Sequence, residues 1–228
     1  MPHYRDEAVV IRTHKLGEVD RIVTLLTKNH GQVRAVAKGV RKTSSRIGAR
    51  LEPFNVVDLQ LYEGRNLDTV SHVEQLANYG SVIVADYARY TAASAVVEAA
   101  ERFTREDSSS QHYMLVIGAL RALSLKEYSS DQILDSYLLR ALAISGWITN
   151  IDQCQGCAST ETVSFSVHSG SVSCQSCAMP GSVRIGVDGI SHISALLIGD
   201  WPSVGRANLA TRAAVSGVVA GYLQWQLE

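Results

Sequence analysis

Apolar and polar residues alternate along the first 75 residues of the chain. The run at residues 55–62, NVVDLQLY, shows the pattern best, because every second residue from Val57 is aliphatic and those between are polar. Similar runs, rich in β-branched residues, occupy residues 7–13, 21–27, 32–38 and 67–73. Period-two patterning with glycine-bearing turns is typical of half-buried antiparallel strands. Five short strands predict a small barrel of the OB-fold type over residues 1–79.

From residue 81 onward the apolar residues recur at steps of three and four. This spacing places them along one side of an amphipathic helix. The four clearest stripes are Tyr90, Ala93, Val97 and Ala100; Tyr113, Val116, Leu120 and Leu123; Leu134, Tyr137, Ala141 and Ile144; and Val215, Val218, Tyr222 and Trp225. We interpret the stripes as helix core. The pattern predicts an α+β protein, with an α-helical domain over residues 80–228 following the five-stranded barrel.

Composition is compatible with a packed, water-soluble protein. The chain has 228 residues, of which 46% are hydrophobic, enough for one large domain or two small ones. The first ten residues, MPHYRDEAVV, contain charges and lack the apolar run of a secretory signal. Charged residues interrupt every apolar run before it reaches the 20 residues needed to cross a bilayer. We expect a cytoplasmic protein that does not enter the membrane.

Positive charge is concentrated in the first third of the chain, although the formal net charge is only −1. Residues 1–80 hold 12 Lys and Arg against 9 Asp and Glu, whereas residues 81–228 hold 9 against 13. Six cations fall within residues 34–50, and no acid interrupts them before Glu52: Arg34, Lys38, Arg41, Lys42, Arg46 and Arg50. Such a run is either a solvated face or a site for an anionic partner.

The third predicted strand puts two of these cations on the outside of the barrel. Period two places Arg34 and Lys38 on one face, and Val33, Ala35 and Ala37 on the face assigned to the core. The other four cations follow on a loop, GVRKTSSRIGAR, which has too few apolar residues to fold alone. Phosphates of a nucleic acid would suit such a surface, and binding would be nearly independent of sequence.

Four other cations of the barrel are expected either to extend the cationic surface or to form ion pairs with acids. Arg12 and Lys15 would extend the cationic surface, whereas Arg5 and Arg21 are expected to pair with nearby acids such as Asp20. Tyr62 is either a half-exposed sheet tyrosine or a residue that stacks on a base. If all six cations contact single-stranded DNA, the logarithm of the binding constant should fall with the logarithm of salt concentration at a slope of roughly −4. The affinity would then fall roughly 300-fold between about 50 and 200 mM salt.

All four cysteines occur in two C-x2-C pairs: Cys154 with Cys157, and Cys174 with Cys177. Two such pairs supply the four thiolates of a tetrahedral Zn2+ site, and soft sulfur ligands exclude Mg2+ and Ca2+. Alternation at residues 163–167 and a turn at 168–171 predict a hairpin that brings the pairs together, as in a zinc ribbon inserted at about residues 150–180. The site has no open position, so the expected cofactor is one structural Zn2+ per chain.

Other readings of the cysteines fit less well. Disulfides are uncommon in a cytosolic chain, and a redox pair would not explain the second C-x2-C. An iron–sulfur cluster has the right ligands, but this hairpin spacing is less usual for it. His168 lies in the predicted turn and is expected to be a turn residue instead of a metal ligand.

Sequence motifs of common enzymes are missing. The chain has no P-loop, no G-x-G-x-x-G, no H-E-x-x-H and no G-x-S-x-G. We therefore expect a protein without catalytic activity.

The combination of these features resembles the RecO family of bacterial recombination mediators. The resemblance is strongest at residues 17–23, 37–41 and 51–54, which read GEVDRIV, AKGVR and LEPF. The helical half is similar in its architecture and in the placement of the cysteine pairs. Members similar to this chain run further at the C-terminus, which suggests a missing or trimmed tail after residue 228. Some relatives lack the cysteines, which suggests that the metal shapes the domain without driving the activity.

The resemblance implies a role in DNA repair. RecO-like proteins bind single- and double-stranded DNA, anneal complementary strands, and help load RecA onto strands coated by single-strand binding protein. The implied partners are RecR, single-strand binding protein and, indirectly, RecA, at the bacterial nucleoid. Two alternatives stay open on the residues alone: an RNA-binding OB module, and a non-catalytic scaffold whose basic loop docks an acidic protein tail.

Overall fold

We describe the protein from a computed structural model, which covers residues 2–43, 45, 47–105, 110–148 and 151–227. The chain forms two compact units, Met1–Glu127 and Tyr128–Glu228. Strands β1–β8 are His3–Leu16, Asp20–Thr27, Gln32–Ala37, Asn55–Tyr62, Asp68–Asn78, Ser164–Ser166, Ser171–Ser173 and Val183–Arg184. Helices α1–α7 are Gly80–Ile83, Tyr87–Phe103, Ser110–Leu125, Ser130–Ile144, Gly186–Ile198, Trp201–Arg206 and Leu209–Leu227.

The first unit is built around a closed five-stranded barrel. The strand order is β1-β2-β3-β5-β4, and only the β3–β5 pair is parallel. Alternate residues point inward as the sequence pattern predicts; Val57, Leu59 and Leu61 of β4 are fully buried. The predicted fold class, an OB-like barrel followed by helices, is confirmed.

Helices α2 and α3 cover the outer side of β1 and β2. Thr24 on β2 is therefore buried although it points away from the barrel interior. The Gln32 side chain, at the start of β3, donates hydrogen bonds to the Glu101 carbonyl oxygen and the Thr104 hydroxyl, at 2.5 and 2.9 Å. The compact units divide after residue 127, so α1–α3 belong with the barrel; the division into domains at residues 79 and 80 stays a prediction.

The second unit packs α4, α5 and α7 together and carries a three-stranded sheet in the order β7-β6-β8. Tyr137 and Tyr222, both in the predicted stripes, are buried at 2% and 0% exposure. Buried polar side chains are bonded across the unit, as in the hydrogen bond from the Ser136 hydroxyl to the Leu196 carbonyl oxygen at 2.8 Å. Among the described residues, no helix combines the length and the apolar character that a membrane span requires.

Candidate nucleic-acid interface and metal centre

The outer face of the barrel presents two cations to solvent, Arg34 on β3 and Lys38 just after its end. Arg34 and Lys38 are exposed, whereas Ala35 and Ala37 between and beside them are buried in the barrel core at 0% and 1%. Within the described part of the chain, neither cation forms an ion pair with a carboxylate. Their charge is therefore available to an anionic ligand.

In the loop after Lys38, one described cation is exposed and two are hydrogen-bonded to backbone carbonyl oxygens. Lys42 is exposed. The Arg41 guanidinium donates to the carbonyl oxygens of Gly17 and Glu18 at 3.1 and 2.9 Å, and Arg50 donates to that of Val73 at 2.6 Å. Carbonyl oxygens fix these two guanidinium groups without cancelling their charge. The sixth predicted residue, Arg46, lies outside the described residues.

The turn that begins this loop is anchored to the β1–β2 turn. Gly39 adopts φ +66, a left-handed conformation that glycine tolerates best, and its N–H donates to the Asp20 carboxylate at 2.7 Å. The Arg41 N–H donates to the Val19 carbonyl oxygen at 2.9 Å. Asp20 is therefore used for the backbone of the loop and not for pairing with Arg21.

Three other arginines of the barrel, Arg5, Arg12 and Arg21, form ion pairs within the first unit. Arg21 pairs with Glu52 at 2.6 Å, and Arg5 forms two 2.8 Å bonds to Asp58. The expectation that both pair with acids is confirmed, although the partner of Arg21 is Glu52 and not Asp20. Arg12 pairs with Glu101 at 2.7 Å, so it adds no uncompensated charge to the cationic surface.

Tyr62 lies on the same exposed row of the barrel as the β3 cations. Thr69 of β5 pairs with Val36 on one side and with Tyr62 on the other. Tyr62 is therefore two strand spacings, roughly 10 Å, from Val36, which sits between Arg34 and Lys38. Its side chain is 45% exposed and meets His3 edge-on at 6.1 Å. Stacking on a base stays a prediction.

Sequence reasoning missed a buried carboxylate at the end of the barrel. Asp6 is 4% exposed and accepts hydrogen bonds from the N–H of Glu7 and from the N–H and side-chain amide of Asn29, at 2.8–3.0 Å. His30 Nδ1 lies 2.6 Å from the same carboxylate. Asn29 and His30 are more than 20 residues away along the chain, so no local pattern could have revealed them.

The four cysteines come together at the predicted hairpin. Their sulfur atoms all lie within 4.8 Å of one another, and β6 pairs with β7 in antiparallel register, Phe165 opposite Val172. The Gln155 N–H donates to the Val172 carbonyl oxygen at 3.0 Å, which ties the first cysteine turn to the second strand. His168 lies in the hairpin turn, where its ring contacts Trp225 at 4.5 Å. The cluster could hold a metal ion.

The electrostatics of the cluster favour a cation at its centre. The backbone N–H of Cys174 donates to Cys154 and lowers the pKa of that thiol to about 6. The neighbouring sulfur of Cys174, followed by those of Cys157 and Cys154, raises the pKa of Cys177 to about 12. The Cys154 thiolate thus forms easily, whereas the sulfurs around Cys177 oppose formation of its thiolate. A soft divalent cation removes this opposition by binding all four thiolates.

The barrel and the cysteine hairpin together define the class of protein: an OB-fold protein with a helical unit that carries a cluster of four cysteines able to hold a metal ion. The family described as Recombination protein O N terminal matches residues 1–79, and the one described as Recombination protein O C terminal matches residues 84–228. The chain belongs to the RecO family of DNA repair proteins.

Full-length similarity to curated proteins supports this assignment. The "DNA repair protein RecO" of Nocardioides sp. is 47% identical over 231 residues, covering 99% of this chain and 95% of the relative. The protein of the same name from Streptomyces griseus is 45% identical over 100% of this chain and 96% of the relative. The protein of the same name from Thermobifida fusca is 46% identical over 100% of this chain and 95% of the relative. The role of the family is in DNA repair and recombination.

Proposed function

We propose that this protein binds single- and double-stranded DNA through the cationic face of its barrel and anneals complementary strands. The observation that carries the proposal is a group of three exposed cations on β3 and just after it, none of which has an acidic partner among the described residues: Arg34, Lys38 and Lys42. Two DNA strands repel each other through their phosphates. Cations on a small surface offset that repulsion without reading the bases.

The wider role follows from the family. After binding DNA, the protein would help load RecA onto strands coated by single-strand binding protein, with RecR as a further partner. The second unit has more acidic than basic residues in its sequence, so it suits protein docking better than DNA contact. None of these steps requires catalysis by the chain, and we propose that it is not an enzyme.

We further propose that the metal is one structural Zn2+ per chain. Four thiolate ligands with no imidazole, carboxylate or open position match a closed zinc site. Such a site would join the two C-x2-C turns and fix the hairpin of β6 and β7. The metal would have no direct part in binding DNA.

Charge reversal tests the DNA-binding proposal. Lys38→Glu with Lys42→Glu should weaken binding of single-stranded DNA about 25-fold at about 100 mM salt, because two phosphate contacts are lost. The log–log salt slope should become shallower by about 1.4. Both quantities can be measured by fluorescence anisotropy over a salt series, with strand annealing followed in parallel.

The matched control places the same charge change elsewhere in the first unit. Arg105 and Arg121 are exposed, and neither pairs with a carboxylate in the described part of the chain. Arg105→Glu with Arg121→Glu should leave affinity within about twofold and the slope unchanged. If both double variants weaken binding equally, the effect is one of net charge and the β3 surface is not the site. A DNA-versus-RNA competition that favours RNA would also count against the proposal.

A further inference from the structure

A cavity of about 810 Å3 opens in the first unit, between β1, residues 49–55 and helices α1 and α2. Its volume falls within the range of sites for small organic groups. Phe54 and Tyr90 line it with their rings edge-on, 6.0 Å between centroids. Tyr90 is 46% exposed, so part of its ring is open to a ligand.

The cavity wall holds a residue in an unfavourable backbone conformation. Phe54 has φ +72, in the left-handed region that bulky side chains avoid, yet it is 4% exposed. Its N–H donates to the Val10 carbonyl oxygen at 3.0 Å, which holds the conformation. Strained residues of this kind are concentrated at functional sites, because the surrounding structure must be built to hold them.

Charges around the cavity occur as pairs. Glu52 lines it and is bonded to Arg21 at 2.6 Å, and Glu98 lines it and lies 3.4 Å from Arg102. Arg12, also in the wall, is paired with Glu101 at 2.7 Å. A wall of paired charges and aromatic rings suits a neutral, flat group with polar edges better than it suits a phosphate.

The cavity adjoins the cationic face. Asn55 lines it, and the Asn55 side-chain amide donates to the carbonyl oxygens of Ala49 and Arg50 at 3.1 and 3.4 Å. Arg21 of β2 lies opposite Ala37 of β3 in the strand register, and Ala37 is the residue before Lys38. Arg21 also forms the ion pair with Glu52 of the cavity wall, so a DNA strand whose phosphates contact Lys38 would lie close to the cavity.

We propose that this cavity takes one unstacked base of a single DNA strand whose phosphates lie on the cationic face. The inference rests on the proposed function, because it needs the strand to be held there. Bases in a duplex are stacked and paired, so a base must first leave the stack to enter a pocket. The cavity therefore makes the protein favour single strands over duplexes, beyond what phosphate contacts provide.

The test compares a single-stranded oligonucleotide with an oligomer of the same length that has abasic sites throughout. The full chain should bind the abasic oligomer about tenfold more weakly, the size of one lost base–aromatic contact. Tyr90→Ala should weaken binding of the ordinary oligonucleotide by about the same factor and leave the abasic one unchanged. Tyr87→Ala is the control, because Tyr87 lies on the same helix, is 86% exposed and does not line the cavity.

A second variant guards against a simple loss of folding. Ser94→Phe should place a ring in the cavity one helical turn from Tyr90 and obstruct that part of it, and should reproduce the Tyr90→Ala result with an unchanged melting temperature. Equal affinity of the wild-type chain for both oligomers would overturn the base site and leave salt-dependent DNA binding intact. Tyr90→Ala weakening both oligomers alike would also overturn it. Failure of the wild-type chain to bind either oligomer would instead defeat the proposed function.

Discussion

At the scale of single residues, two buried carboxylates differ in how the protein compensates for their removal from water. A carboxylate removed from water must be hydrogen-bonded or lose its charge. Asp6, in the first unit, is surrounded by donors from residues 7, 29 and 30. Asp135, in the second unit, has the Ser216 hydroxyl as its hydrogen-bond donor, and burial raises its pKa to about 6.

Replacing Asp6 should destabilise the first unit. Asp6→Ala leaves the Asn29 donors without their acceptor and should lower the free energy of unfolding by about 3 kcal/mol. Glu74→Ala removes only exposed contacts, to Arg5 at 3.8 Å and to His72 at 3.4 Å, and should change the free energy of unfolding by less than about 0.5 kcal/mol.

Far-ultraviolet circular dichroism in denaturant can measure both variants. All three tryptophans, Trp147, Trp201 and Trp225, lie in the second unit, so their fluorescence should follow a separate transition. Equal destabilisation by Asp6→Ala and Glu74→Ala would contradict the structural role given to Asp6.

Asp135 should make the second unit less stable as pH rises. The folded-state pKa of about 6 is above the unfolded value of about 4, so the unfolded chain loses its proton first. The contribution to stability is fully present below pH 4 and is lost as pH rises through 6. Asp135→Asn should therefore raise the free energy of unfolding by about 2 kcal/mol at pH 8, and the gain should vanish near pH 4.

Tryptophan fluorescence in denaturant, repeated across this pH range, measures the effect of Asp135→Asn. Glu161→Gln is the control, because Glu161 is an exposed carboxylate of the same unit. A gain for Asp135→Asn that is the same at every pH would show that the carboxylate does not titrate as described.

At the scale of elements, the β6–β7 hairpin is too small to be stable alone. Each strand has three residues, whereas independent stability needs more strands or a packed face. Phe165 supplies part of that face by packing edge-on against Tyr222 of α7 at 5.4 Å. β8 pairs with β6 on its other edge, and the proposed zinc would supply much of the remainder, since structural zinc contributes roughly 10–16 kcal/mol of apparent binding free energy.

Removing one thiolate should therefore release the metal and loosen the hairpin. Cys174→Ser should reduce zinc from about one per chain to near none, measured by mass spectrometry of protein purified without chelator. The Trp225 environment should change with it, because that ring contacts His168 in the hairpin turn. Ser176→Ala, an exposed position between the second pair of cysteines, should retain the metal. Affinity for single-stranded DNA should stay within about twofold; a larger loss in Cys174→Ser would assign the metal a part in binding.

At the scale of the whole molecule, a net charge of −1 conceals a local cationic surface. Internal pairing neutralises Arg5, Arg12 and Arg21, whereas the described cations of β3 and the following loop form no ion pair with a carboxylate. Exposed cations on a small area attract an extended polyanion strongly at low salt, while the molecule as a whole stays nearly neutral.

The sequence by itself determined the features that repeat over short distances. Alternation placed Arg34 and Lys38 outside the barrel, and paired C-x2-C motifs with a hairpin between them indicated the four-sulfur cluster. Both inferences succeed because a strand has a fixed period of two and because closely spaced cysteines must share one turn.

Only the tertiary structure decided which charges stay free and where a cavity forms. Helical periodicity put Tyr90 in a core stripe, yet it is 46% exposed and lines a cavity, because periodicity defines a face without saying what covers it. In the same way, Arg21 reaches Glu52 and Arg50 reaches the Val73 carbonyl oxygen across 31 and 23 residues of chain. Contacts of that range depend on how the barrel closes, which no local pattern encodes.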